Sequence, residues 1–180
     1  MRTSILSTLT LLLLSFGAHA LAQGDAPAVG SAAPHFRLQD QNGEWHQLED
    51  YRGTWLAIYF YPKDDTPGCT TEACNFRDNI YAFRSIGAEV VGISLDDVDS
   101  HQEFSTKYTL PFTLLADEAG ETAHAYGVLR DYQLMKIADR QSFLVNPQGV
   151  IVKHYEEVDP GSHTDEVLTD LQALMQTPGS

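Results

Sequence analysis

The sequence predicts an α/β fold: a central mixed β-sheet flanked by helices, with an N-terminal β-hairpin. Three observations carry this. Short apolar runs rich in β-branched and aromatic residues alternate with stretches whose apolar positions recur at steps of three and four. The last two strand-like runs are joined by Asn146-Pro147-Gln148-Gly149, a turn signal that makes them antiparallel neighbours. The first two are joined by Asp40-Gln41-Asn42-Gly43, a turn of the same kind.

Residues 1–22 begin with Arg2, continue through an apolar core from Ile5 to Phe16 and end in small residues. Ala18-His19-Ala20 and Ala20-Leu21-Ala22 both suit a cleavage site, so the segment has the layout of a secretory signal peptide. Its apolar core is short for a membrane anchor. Residues 23–180 are then one exported domain, periplasmic or secreted, of about 160 residues and large enough for a real core. The chain of 180 residues carries 11 basic and 25 acidic residues, a net charge of −14. That balance excludes nucleic acid and anionic membrane surfaces as partners.

Along the domain, residues 23–31 form a small polar arm. Residues 36–39 and 45–48 are the strands of the N-terminal hairpin, and residues 55–60 are the first core strand. A helix follows from Thr66 to about Ile86. Ala73, Phe76, Ile80 and Phe83 line its buried face, and Gly87 stops it. Residues 89–94 are a buried strand rich in β-branched side chains. Polar residues 96–100 can cap a helix over 100–108, Leu114 and Leu115 form a short apolar piece, and 120–126 suit a short helix. Residues 129–139 read as an extended loop. Residues 142–145 and 150–154 are strand, turn, strand. Val167, Leu168, Leu171 and Leu174 place a closing helix over 165–175.

Both cysteines, Cys69 and Cys74, lie at the junction of the first core strand and the first long helix. Thr66 suits the N-cap, where its hydroxyl can accept a free backbone N–H. Pro67 suits the first helical position and pushes Thr66 out of the α region. Cys69 then falls in the first turn, facing the positive end of the helix dipole and its unpaired N–H groups, which favour the thiolate. Thr66, three residues earlier on the same turn, can reach the sulfur and anything bound to it. The alternative is a structural disulfide in a secreted binding domain, but a bridge within one helix closes almost no loop and stabilises little. An exported thiol–disulfide oxidoreductase is a further alternative; it should carry Cys-x-x-Cys, and the spacing here is Cys-x-x-x-x-Cys. The histidines show no metal-ligand spacing with one another.

With these pieces in place, the chain resembles the peroxiredoxins, most closely the Q-type (bacterioferritin comigratory protein) subfamily. Pro62-x-x-x-Thr66-x-x-Cys69 resembles the family's active-site motif. Cys74 has the in-helix spacing of one branch of the Q type, and residues 140–146 resemble the strand that brings the active-site arginine. The likeness runs from about residue 26 to 176. It implies a thioredoxin-like fold and a thiol peroxidase without flavin, haem or metal. Cys69 would attack the peroxide and Cys74 would resolve the sulfenic acid as a disulfide. Arg140 and Thr66 would hold thiolate and peroxide, and Pro62 would shield the sulfur. A monomer reduced by a thioredoxin-like donor is implied too. The leader departs from the cytoplasmic members of the subfamily and moves the expected donor to an exported one.

Overall fold

In the computed structural model, which describes residues 24–132 and 134–176, the sheet is built outward from β3 (Trp55–Phe60). All six of its residues are buried. A run that is apolar on both faces can serve only an interior strand. β3 pairs parallel to β4 (Ala88–Ser94) and antiparallel to β8 (Gln141–Val145). β5 (Thr113–Ala116) continues the parallel set beyond β4. The apolar piece at Leu114 and Leu115 is therefore a full strand. The hairpin of β1 (Arg37–Asp40) and β2 (Trp45–Gln47) adds antiparallel to β5, and β9 (Ile151–Tyr155) adds antiparallel to β8. The order is β2-β1-β5-β4-β3-β8-β9. The expected mixed sheet with its N-terminal hairpin is present, and the hairpin forms one edge of that sheet.

The helices are α1 (Pro67–Ser85), α2 (Val98–Tyr108), α3 (Glu121–Ala125) and α4 (His163–Met175). α1 and α2 are the crossovers of β3–β4 and β4–β5. Both steps move the same way across the sheet, so the right-handed rule puts both helices on one face. Ala73, Phe76, Ile80 and Phe83 of α1 and Phe104 of α2 share a core there with Val167 and Leu171 of α4. Phe76 stacks on Tyr59 at 4.8 Å between ring centroids. Truncating such a ring costs about 3–5 kcal/mol. Gly92 of β4 lies beneath Tyr59: a Cβ there would sit 2.6 Å from the ring, which explains a glycine inside a buried strand. The opposite face packs Ile58, Phe60, Ile93 and Phe143 against Tyr126, Phe36 and Ala138.

Three local readings change. Leu48 leaves β2 and opens a 3-10 turn, Leu48–Tyr51. α2 starts two residues earlier than periodicity suggests, because Asp97 caps it by accepting the Ser100 N–H at 2.8 Å. The loop expected at 129–139 is instead a small hairpin of β6 (Leu129–Asp131) and β7 (Lys136–Ala138). Its strands are too short for a period-two pattern to register. The backbones pair antiparallel, and ion pairs link Arg130 with Asp139 and Lys136 with Asp131 across the hairpin. The reading of residues 1–22 as a leader lies outside the described residues. Among those described, no helix is long and apolar enough to cross a membrane.

Candidate active site

The site forms where β3 ends and α1 begins. Thr66 has the extended backbone of an N-cap and Pro67 is the first helical residue. The first intrahelical bond runs from the Thr70 N–H to the Thr66 carbonyl at 2.8 Å. Cys69 is thus in the first turn, 1 % exposed. The N–H groups of Gly68 and Cys69 precede that bond and have no partner within the helix.

The cap hydroxyl departs from expectation. Thr66 Oγ1 donates to the Lys63 carbonyl at 2.9 Å and accepts no helix N–H. Capping here is done by backbone conformation and Pro67. Pro62 is half-buried in the same β3–α1 loop.

Arg140 arrives from a distant part of the chain. Gln141 of β8 pairs with Phe60, the last residue of β3. The residue before Gln141 therefore lies beside the β3–α1 junction. Arg140 Nη2 donates to Cys69 Sγ at 3.1 Å. A Cβ at Gly68 would lie 3.2 Å from the same nitrogen, so the missing side chain lets the guanidinium rest on the helix start.

The other prong of Arg140, Nη1, pairs with Glu72 Oε2. Glu72 is 0 % exposed, and its Oε1 has no hydrogen-bond partner. Burial pushes its carboxyl up to about 7, and Arg140 pulls the other way without prevailing. Sequence reasoning missed Glu72. The signal was there: Glu72 shares the helical face of Cys69, Ala73 and Phe76, where an acid is unexpected. Because the folded-state value lies above the ordinary 4.5, folding takes up a proton between about pH 4.5 and 7. Glu72's contribution to stability therefore falls as pH rises through that window. In urea titrations wild type should lose stability relative to Glu72→Gln from pH 5 to pH 8; parallel curves would contradict the buried acid.

Three more polar residues beside the site have defined partners. Asp64 is buried and accepts the Tyr61 hydroxyl, the Ser100 hydroxyl and His101 Nδ1, each at 2.8 Å. Its N–H donates to Asp96 Oδ2 at 2.9 Å. Asp65 takes a left-handed backbone (φ 57°) and bonds Lys107 Nζ and the Tyr108 hydroxyl, both at 2.6 Å. Arg77 donates from Nη1 to Cys74 Sγ at 3.4 Å and to the Tyr108 carbonyl at 2.9 Å. The loop before Cys69 and the helix beyond Cys74 are therefore both tied to the C-terminal turn of α2.

Both cysteines are free, Cys69 buried and Cys74 half-buried. His46 gathers with Asp40 and Glu44. There Asp40 accepts the N–H groups of Asn42 and Glu44 at 2.8 and 2.9 Å, which closes the β1–β2 turn.

A strand-to-helix junction that holds a thiol against an arginine is a site for nucleophilic sulfur chemistry on a small, polar, charge-developing substrate. The family model described as AhpC/TSA matches residues 29–154. The chloroplastic peroxiredoxin Q of Oryza sativa subsp. japonica is 45% identical over 146 residues, 81% of this chain and 67% of that protein. Among solved structures, a cysteine variant of Xylella fastidiosa PrxQ superposes with a TM-score of 0.80 at 32% identity, covering 85% of this chain and 100% of that one. The Xanthomonas campestris bacterioferritin comigratory protein, described by its alkyl peroxide reduction activity, gives 0.74 at 34% identity, covering 78% and 92%.

Proposed function

The chain belongs to the AhpC/TSA family, in its peroxiredoxin Q branch, and is a thiol-dependent peroxidase with a thioredoxin-like fold; from that premise we propose how its own residues do the work. The Cys69 thiolate attacks one peroxide oxygen. The O–O bond breaks, the far oxygen takes a proton and leaves as water or alcohol, and Cys69 becomes a sulfenic acid. Arg140, a guanidinium that does not give up its proton, donates to the sulfur and to the peroxide oxygens. The Gly68 and Cys69 N–H groups add donors at the helix start. Thr66 keeps lone pairs to accept the peroxide proton, and Pro62 limits access to the sulfur.

The single observation that carries this is the Arg140 Nη2 to Cys69 Sγ contact, 3.1 Å, at a helix N-terminus. Hydrogen peroxide and small organic hydroperoxides are the proposed substrates. The alkyl peroxide activity in the Xanthomonas description supports the second class. Peroxide consumption coupled to thioredoxin oxidation tests the reading. One dithiol should be oxidised per peroxide reduced, and a purified protein that consumes no peroxide overturns it. An exported thiol–disulfide oxidoreductase is disfavoured by the family match and by the lack of a Cys-x-x-Cys pair.

Cys74 is proposed as the resolving thiol. Cys69 and Cys74 both lie in α1. Five helical residues separate Cα atoms by roughly 8–9 Å, and a disulfide needs about 4.4–6.8 Å. The first turns must therefore unwind for the bond to form, which is cheap at a helix end. Oxidised protein should lose amide-exchange protection over residues 66–77 and little elsewhere. Equal exchange in both redox states, with the disulfide confirmed by mass, would sink this step.

Residues 1–22 are proposed as an export signal that delivers residues 23–180 as one domain to the periplasm or exterior. The reductant would then be an exported, thioredoxin-like donor, because cytosolic thioredoxin is out of reach. N-terminal sequencing of protein from the host should find a start after Ala20 or Ala22; a start at Met1 would refute it. The chain is proposed to act as a monomer, since one chain supplies every site residue named.

A further inference from the structure

We propose that Arg77 is a catalytic residue of the second chemical step, donating to the Cys74 sulfur as it attacks the oxidised Cys69. The proposal rests on the peroxidase reading above. Arg77 lies three residues after Cys74 on α1, one turn along the same side of the helix. Its guanidinium is held by three acceptors. Nε donates to Asp78 Oδ1 at 2.8 Å, and Nη1 donates to the Tyr108 carbonyl at 2.9 Å and to Cys74 Sγ at 3.4 Å. Tyr108 is the last residue of α2, so its carbonyl is one of those left open at a helix end. That carbonyl and the negative end of the α2 dipole give the guanidinium a fixed seat. Held there, one of its N–H groups is aimed at the sulfur. The side chain is about one-third exposed, at 32 %.

The step needs a charged sulfur. Cys74 as thiolate attacks the sulfur of Cys69–SOH. The S–S bond forms, the S–O bond breaks, and the departing hydroxide takes up the proton that Cys74 gave away, leaving as water. Cys74 is oxidised and Cys69 reduced to the disulfide level. An N–H donor of fixed direction 3.4 Å from the attacking sulfur orients it and steadies its charge as the S–S bond forms. The two sulfurs are thus served by two arginines, Arg140 on Cys69 and Arg77 on Cys74. Oxidation of Cys69 takes the thiolate away from one prong of Arg140, whose other prong stays on Glu72, and leaves Arg77 on Cys74. Cys69 is then the sulfur released to move, and Cys74 the one held.

A purely structural role, clamping α2 to α1, is the competing account. Three measurements on Arg77→Gln and Arg77→Lys separate the two. After one equivalent of hydrogen peroxide, the sulfenic acid on Cys69 is trapped with dimedone, and disulfide formation is followed by intact mass. Arg77→Gln should slow disulfide formation relative to Cys69 oxidation by about tenfold to a hundredfold, and Arg77→Lys should restore part of it. In a Cys69→Ser background, Arg77→Gln should also slow iodoacetamide alkylation of Cys74 at neutral pH, with Arg77→Lys intermediate. Melting curves show whether each variant is folded. Equal slowing by Gln and Lys, or alkylation of Cys74 at the wild-type rate, would overturn the inference. If Cys69 fails to form a sulfenic acid in wild type, the peroxidase reading itself falls, and the alkylation result still judges Arg77.

Discussion

Cys69→Ser lowers peroxide turnover by on the order of 10⁴-fold or more, to the background of free dithiol. The reason is chemical before it is structural. A serine hydroxyl is not ionised near neutrality, even at a helix N-terminus beside Arg140, and an un-ionised hydroxyl is too weak a nucleophile to displace at a peroxide oxygen. The substitution removes a sulfur from a site 1 % exposed and keeps the hydrogen-bond partner, so the fold should survive. Cys74→Ser has a different signature. It should reduce one peroxide per protein, accumulate sulfenic acid, and then stall with a thioredoxin-like donor while small thiols still turn it over. The pair of variants is checked by peroxide consumption in pre-steady-state and steady-state modes. Turnover that persists in Cys69→Ser, or a lost first turnover in Cys74→Ser, would reassign the nucleophile.

Arg140→Ala lowers the rate constant for peroxide by about 10²–10³, the loss expected when one preorganised donor leaves the developing charge. It also strips Glu72 of its partner. Removing half of a buried ion pair costs about 3–5 kcal/mol when the remaining group must stay charged. Glu72 has an escape. Burial already holds its carboxyl near 7, and without Arg140 it takes up a proton at neutral pH. The stability loss should therefore be smaller at pH 6 than at pH 8. Arg140→Ala combined with Glu72→Gln should recover stability and leave the rate defect in place. Arg140→Lys is a poor rescue, because one ammonium cannot reproduce the two prongs that reach Cys69 and Glu72. A double variant no more stable than Arg140→Ala would show that the two residues are not coupled.

Much of this was legible in the chain. The apolar period of α1 names its buried face residue by residue, and the Thr66-Pro67 pair marks the helix start that places Cys69. Those signals are local, and the backbone obeys them. What stayed hidden depends on partners far away in sequence. The ion pair of Arg140 with Glu72 follows from the register of β8 against β3, which no periodicity encodes. The burial of Asp64 follows from α2 bringing Ser100 and His101 against it. Arg77 looks like a surface residue until Tyr108 supplies a carbonyl. Thr66 shows a subtler limit: residue type gave its backbone conformation correctly and the direction of its hydroxyl wrongly, because the hydroxyl turns to donate its own proton to the Lys63 carbonyl instead of accepting a helix N–H.

The C-terminal turn of α2 holds Asp65 at one end of the moving segment and Arg77 at the other. A helix that frays from a free end gains all the disorder of a loose tail. A segment pinned at both ends gains only that of a closed loop, which grows slowly with length. The unwound state is thereby kept short of conformational entropy, and rewinding requires no search for a lost anchor. The slack released between fixed ends stays near its anchors, so Cys69 is brought to Cys74 and not lost from it. Tyr108, remote from the peroxide, thus becomes a tether whose strength sets how far the active helix can open and how promptly it closes.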